Sequence, residues 1–445
     1  MAKAKLELVD EAPLAGVERR GQARVRRFRM RENGLSVLML RDPVAPVLAY
    51  QTWFRVGSRH ERPGITGIAH LFEHLMFNQT EHLAAGELDR LIESAGGDTN
   101  AATWTDWTYY RDSVPAAELP LVVRLEADRM GHLTLTDRQV ESEREVVANE
   151  RRFRVDDDVL GTLDERAYAM AFAKSPYRWP TIGWMRDIMA ISTEDARAFY
   201  RTFYAPNHAT VILVGDFRER EALALIAERY GDLGAAELPR EPALREPTQT
   251  APRRARIRRE VPADRVVMAW HAPALGHRDH VPMQLADDVL AGGPSSRLHR
   301  RLVVQDAIAT DVGASLTPFA GTGLYQIHVT LERGHSAAEA ERAVLDELEG
   351  LAREPITPAE LGKARARAET QLWASLSTAD GKAEVLGMYE TVLGDFRALA
   401  GLREATLATG ARAVQAAVRR WLRPEARNVV VASPARPRRP VAGRS

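Results

Sequence analysis

Gly67-Ile68-Ala69-His70-Leu71-Phe72-Glu73-His74-Leu75-Met76-Phe77 is the stretch that decides how this chain is read. Its apolar spacing predicts a helix with one greasy face over 67–77. Residues four apart share a helix face, so His70 and His74 can point at one metal ion. Glu73 lies beside His74 and three residues from His70, close enough to act on a water at such an ion without being a ligand. A bland alternative is a helix carrying two solvated histidines. Among Leu71, Phe72, Leu75 and Phe77, however, two imidazoles would be awkward to bury without a partner, and a metal supplies one.

Catalytic zinc commonly takes three protein ligands and keeps one position open. A third candidate stands in Val140-Glu141-Ser142-Glu143-Arg144-Glu145-Val146-Val147-Ala148-Asn149-Glu150. Glu143 and Glu150 are two helical turns apart and so share a face. Glu141, Arg144 and Glu145 read as a solvated face, whereas Val146 and Val147 are expected to bring part of this helix against a core.

With both stretches in hand, the chain resembles the pitrilysin-type (M16) inverzincin family, which includes insulin-degrading enzyme and the mitochondrial processing peptidase. The H-x-x-E-H order is the zincin motif reversed. In that family the third ligand is the last Glu of an E-x-x-x-x-x-x-E helix, and its spacing matches here, 150 − 74 = 76. The resemblance implies that His70, His74 and Glu150 bind Zn2+, that Glu73 is the general base, and that Glu143 is the accompanying acid. It also implies a zinc-dependent endopeptidase acting on peptides or unfolded chains. The implied fold is α+β: two homologous halves, each an antiparallel-rich sheet packed with helices, together forming half of a clam-shell chamber.

Gly96 to Tyr110 alternates small or polar residues with aromatics, a strand pattern. It could be an ordinary sheet strand. In the resembling family this segment is an edge strand to which substrate backbone adds, and Asn100 and Ala101 match that family's Asn-Ala pair.

Composition narrows the classes further. The chain has 445 residues, 45% hydrophobic and 27% charged, enough for two or three domains. Zero net charge argues against nucleic acid as a partner. Without cysteine there is no disulfide, thiolate ligand or thiol nucleophile. No apolar run approaches a membrane span. The segment 1–27 lacks an apolar core and the twin Arg19-Arg20 has no hydrophobic segment after it, so no signal is read. A cytoplasmic location is expected, with the periplasm left open. The basic, Pro-rich end from Ala435 reads as a tail.

Two halves are expected: a metal-bearing half over 1–236, a Pro- and charge-rich linker over 237–261, and a second half over 262–445. In the first, strands are expected at 35–40, 47–56, 99–113 and 210–217. The second repeats the order, and Asn428-Val429-Val430-Val431-Ala432 echoes Val211-Ile212-Leu213-Val214-Gly215. Its counterpart of the metal helix contains Met283-Gln284-Leu285-Ala286-Asp287-Asp288 and has no histidine pair.

One departure from the family concerns that second half. Members working as a single chain carry an Arg and a Tyr seven apart, after Ser-Arg-Leu, that hold substrate and stabilise the oxyanion. Here Ser296-Arg297-Leu298 anchors the count, and the two positions hold Val303 and Thr310; Arg301 is two residues off. No Tyr lies between Tyr230 and Tyr325. A heterodimer with a related subunit carrying the Arg/Tyr pair is therefore expected, with a homodimer as the second possibility. Relatives that are scaffolds keep open a non-cleaving structural or peptide-binding subunit of the same fold.

Overall fold

Val37 to Leu40 and Val211 to Val214 are buried at every residue, the mark of central strands covered on both faces. The computed structural model describes residues 5–14, 24–242 and 244–435. Arg19-Arg20 and the basic stretch beyond Ala435 lie outside the described residues. Among those described, one sheet contains β1 (Leu6–Pro13), β2 (Arg24–Met30), β3 (Ser36–Arg41), β4 (Val47–Phe54), β5 (Asp98–Thr103), β6 (Thr108–Pro115) and β7 (Ala209–Gly215). Its order is β1-β2-β3-β7-β4-β6-β5. A second contains β8 (Arg253–Arg259), β9 (Arg265–Ala272), β10 (Ala309–Leu316), β11 (Gly323–Leu331) and β12 (Asn428–Pro434), in the order β10-β11-β9-β12-β8.

The expected repeat is present as topology. β3 runs parallel to β7, which pairs antiparallel with β4, then β6, then β5. In the second sheet β8 runs parallel to β12, which pairs antiparallel with β9, then β11, then β10. The echo between 428–432 and 211–215 is thus a correspondence of β12 with β7. A helix follows β4 (Ile68–Leu75) and another follows β9 (His280–Ala291), so the two are counterparts. The fold is mixed α+β, as the sequence led us to expect.

Two local readings change. The stretch 99–113 is not one strand but the hairpin β5–β6, closed where the Trp104 N–H donates to the Trp107 carbonyl at 2.8 Å. Alternation of aromatics continues through the turn, so sequence period alone does not reveal the break. Within 237–261, Arg253 to Arg259 forms β8; its exposed Arg254, Arg256 and Arg258 suit an edge strand, and charge there hides the strand from hydropathy.

The chain makes two compact units that interleave along the sequence. The first comprises 1–152, 175–244 and 368–407, and the second 153–174, 245–367 and 408–445. Each sheet therefore packs a helix drawn from the far part of the chain. In the first unit, Ala379–Leu393 lies on β4 and β7, with Gly387 set against the buried Trp53 ring. Gln51 donates to Asp380 at 2.8 Å and Lys382 pairs with Asp42 at 2.7 Å. In the second unit, Val159–Ala171 lies on β9 and β12, and His328 and Gln326 meet Asp164 at 2.8 and 2.9 Å. Among the described residues no helix is long and apolar enough to cross a membrane.

Candidate metal centre

Ile68, Ala69, Leu71, Phe72 and Leu75 are fully buried, and they fix which way the Ile68–Leu75 helix faces. The Phe72 ring stacks on Tyr204 at 4.9 Å, and the Tyr110 hydroxyl donates to the Phe72 carbonyl at 2.9 Å. The entry to this helix is tightly held. Gly67 adopts φ 93°, and Oε2 and Oε1 of buried Glu61 accept from the N–H groups of Gly67 and Ala69, each at 2.9 Å. A carboxylate at a helix N-terminus satisfies donors that have no intrahelical partner. Burial nevertheless raises the Glu61 pKa well above the ordinary carboxylate value, against the pull of those two hydrogen bonds. Gly67 abuts Gly183: a Cβ on Gly67 would lie 2.5 Å from the Ile182 carbonyl oxygen, and one on Gly183 would lie 2.3 Å from that of Thr66.

The second element is the helix Asp137–Arg151, started by a reciprocal Thr136–Gln139 capping box. Val140, Val147 and Ala148 pack it inward, whereas Val146, expected at the core, is 45% exposed. Arg144 is not simply solvated: it donates to the Ile191 carbonyl at 2.7 Å. Arg151 donates to the Gly183 carbonyl at 2.7 Å, tying this helix to the glycine pair at the entry of the first.

These two helices bring His70, His74 and Glu150 together. Oε2 of Glu150 lies 3.6 Å from Nε2 of His70 and 3.3 Å from Nε2 of His74. One donor atom from each residue lies within 4.8 Å of the others. Tetrahedral zinc with bonds of about 2.0–2.1 Å requires donors about 3.3 Å apart. The donor set fits that ion in type, and its two Glu150 separations lie close to that spacing. Its charge also fits. Burial pushes the His74 imidazole towards neutrality, but Glu150, Glu73 and Glu143 outweigh it and raise the pKa. Three carboxylates around two imidazoles make a site that seeks a cation.

Glu143 sits behind the set. Its Oε2 lies 3.7 Å from Nδ1 of His74, and its Oε1 accepts from Nδ2 of Asn78 at 3.0 Å. Glu73 stands one residue before His74. Burial raises its pKa; Thr103 and His74 draw it part of the way back, and Glu150 adds to the rise. Thr103 ends β5, so the edge strand terminates beside Glu73. Asn100 and Ala101 lie on β5 opposite Arg111 and Tyr110, and among the described residues β5 has no strand on its other side. Asn100 is exposed, and its Oδ1 accepts from the Ala101 N–H at 2.8 Å.

Glu61, Asn78 and the Gly67–Gly183 pair escaped sequence reasoning. Asn78 lies four residues after His74 but beyond the helix end at Leu75, so helical spacing gives no signal for it. Glu61 gives none, since it reaches the helix from a loop.

In the second unit, Val303 lies within the π-helical turn His299–Gln305, and Thr310 is exposed on β10, its hydroxyl donating to the Thr330 carbonyl at 3.2 Å. Arg297 makes a two-pronged pair with Glu360 at 2.7 and 3.0 Å, and Arg301 pairs with Asp306 at 2.6 Å.

Comparison with known proteins identifies the family. Residues 36–183 match the family described as insulinase (peptidase family M16), and residues 190–368 match the peptidase M16 inactive domain. The chain is 30% identical over 367 residues to zinc protease PqqE of Helicobacter pylori, covering 81% of this chain and 82% of that one. It is 25% identical over 368 residues to the mitochondrial-processing peptidase subunit beta of Lentinula edodes, covering 80% and 78%. The crystal structure of a protease from Helicobacter pylori superimposes with a TM-score of 0.87 at 27% identity, covering 97% of this chain and all of that one. The chain belongs to the M16 peptidase family.

Proposed function

We propose that this chain is a zinc-dependent endopeptidase acting on peptides or unfolded chains, with His70, His74 and Glu150 holding the metal and Glu73 as general base. The observation that carries this reading is the convergence of two imidazole nitrogens on one Glu150 oxygen, with Glu73 on the same helix as both histidines. The name of the Helicobacter pylori relative supports it.

Zinc in such a site supplies Lewis-acid polarisation of a carbonyl and a water acidic enough to attack near neutral pH. Glu73 would take a proton from the attacking water as the water oxygen adds to the scissile carbonyl carbon. It then hands the proton to the amide nitrogen as the C–N bond breaks. Glu143 orients His74, and the substrate backbone adds to the open side of β5 next to Asn100 and Ala101, with Glu73 at the strand's end.

The reading includes a second, related subunit that supplies an Arg and a Tyr, because Val303 and Thr310 have no charge or phenol to offer. The same absence favours one other reading, a peptide-binding subunit that does not cleave. A single experiment separates them: hydrolysis of a mixed peptide pool by the zinc-loaded chain, alone and with a partner subunit, against Glu73→Gln. Cleavage lost by about two to four orders of magnitude in the variant, with zinc retained, is the expected result. Zinc bound with no cleavage under either condition would leave the binding subunit.

A further inference from the structure

A second set of imidazole and carboxylate donors converges in the same unit, sharing no residue with the first. Asp128 and His132 are one turn apart on the helix Leu119–His132, and Oδ1 of Asp128 lies 3.2 Å from Nδ1 of His132. His82 comes from the loop after the metal helix and places its Nδ1 2.5 Å from the same Oδ1. The two rings meet edge to face at 4.9 Å, and one donor atom from each of the three residues lies within 4.8 Å of the others.

The carboxylate is held in place. Its side chain is 10% exposed, and its other oxygen accepts from the Thr80 hydroxyl at 2.5 Å. That hydroxyl also accepts from the N–H groups of His82 and Leu83 at 3.1 and 2.9 Å. The backbone closes the rest: the Glu81 N–H donates to the His132 carbonyl at 2.9 Å, the Thr134 N–H to that of Gln79 at 3.1 Å, and Thr80 bridges to Leu133. Carboxylates that ligate metals are typically hydrogen-bonded in turn, as Asp128 is through its second oxygen.

We propose that His82, Asp128 and His132 form a second divalent-cation site, taking zinc or a similar borderline metal, with water in the remaining positions. Two imidazoles select against magnesium and calcium, which prefer all-oxygen shells. The His132–Asp128 separation already matches the roughly 3.3 Å between tetrahedral donors. His82 must swing outward by less than about an ångström to match it, and its 61% exposed side chain is free to do so. The loop it would clip leaves the metal helix and carries Asn78, which holds Glu143. The site braces the first centre from outside it.

Equilibrium dialysis of the full chain against excess free zinc tests this. Two equivalents are expected for wild type, one for His82→Ala, one for His132→Ala, and one for the double change His70→Ala with His74→Ala. One equivalent in wild type that persists in His82→Ala and His132→Ala, or two in both of those variants, overturns the site. Should the double variant misfold, the His82→Ala and His132→Ala arms decide alone. Backbone amide exchange at 79–83 and 132–134 is expected to slow with the second equivalent of zinc; unchanged exchange would overturn the bracing. The peptidase assignment stands or falls separately, since neither readout uses hydrolysis.

Discussion

Nδ1 of His74 lies 3.7 Å from Glu143, while Nε2 of the same ring faces Glu150 at 3.3 Å. The imidazole therefore stands between two carboxylates; under the proposed function Glu150 would share its metal and Glu143 would orient it. Supporting carboxylates of this kind typically contribute about 10–100-fold in metal affinity. Glu143→Gln should weaken zinc binding by that order, measured by competition with a chromophoric chelator. An unchanged affinity would reduce Glu143 to a partner of Asn78.

The glycine pair at the entry of the metal helix has no room for a side chain. Gly183 has φ +86°, and a Cβ there would meet the Thr66 carbonyl oxygen at 2.3 Å. Left-handed backbone in a non-glycine residue costs on the order of 1–3 kcal/mol, before the clash is counted. Gly183→Ala should lower Tm by several degrees and loosen zinc. Gly86→Ala, where nothing lies within 4 Å despite φ +73°, isolates the backbone cost and should do less harm.

If substrate adds to β5 as a further strand, affinity comes from main-chain hydrogen bonds. Each is worth about 0.5–1.5 kcal/mol net. Peptides N-methylated at a paired position should lose roughly 3–10-fold in kcat/KM, and those methylated at alternate, unpaired positions should lose little. Equal loss at every position would argue against strand addition.

The donor deficit at Val303 and Thr310 leads to a concentration-dependent expectation. One missing oxyanion donor typically costs about two to three orders of magnitude in rate. The isolated chain should therefore be slow, and titration with a related subunit carrying Arg and Tyr should raise kcat to saturation. A fully active isolated chain would remove the reason for such a partner.

In the second unit, the counterpart of the metal helix carries Asp287, whose pKa burial raises to about 6 from 3.8, with Asp288 adding to the rise and Tyr325 and Arg367 opposing it. A folded-state pKa above the unfolded one stabilises at low pH, and that contribution is lost as pH rises from about 4 through about 6. Above pH 6 the ionised group costs at most about 3 kcal/mol. Asp287→Asn should raise Tm at pH 8, the advantage shrinking as pH falls towards 4. Thermal scans across that range check the sign.

What the sequence determined by itself was local and periodic. His70, Glu73 and His74 are legible because four residues make one helical turn, and Val211 to Val214 because a buried strand needs apolar residues on both faces. Glu150 was legible through a spacing shared with relatives, since nothing local separates it from Glu141 or Glu145. The repeat of layout between the two parts could be read from order alone.

Only the tertiary structure decided the rest. β8 was hidden because an edge strand can carry Arg254, Arg256 and Arg258 without burying them. The helices Val159–Ala171 and Ala379–Leu393 pack in units other than those their sequence positions suggest, because an apolar sheet face accepts any amphipathic helix the chain can deliver. Glu61, Asn78 and the His82–Asp128–His132 set meet their partners across loops. Chain periodicity encodes which face of an element is apolar; it does not encode which distant side chains that packing brings within hydrogen-bond or coordination reach.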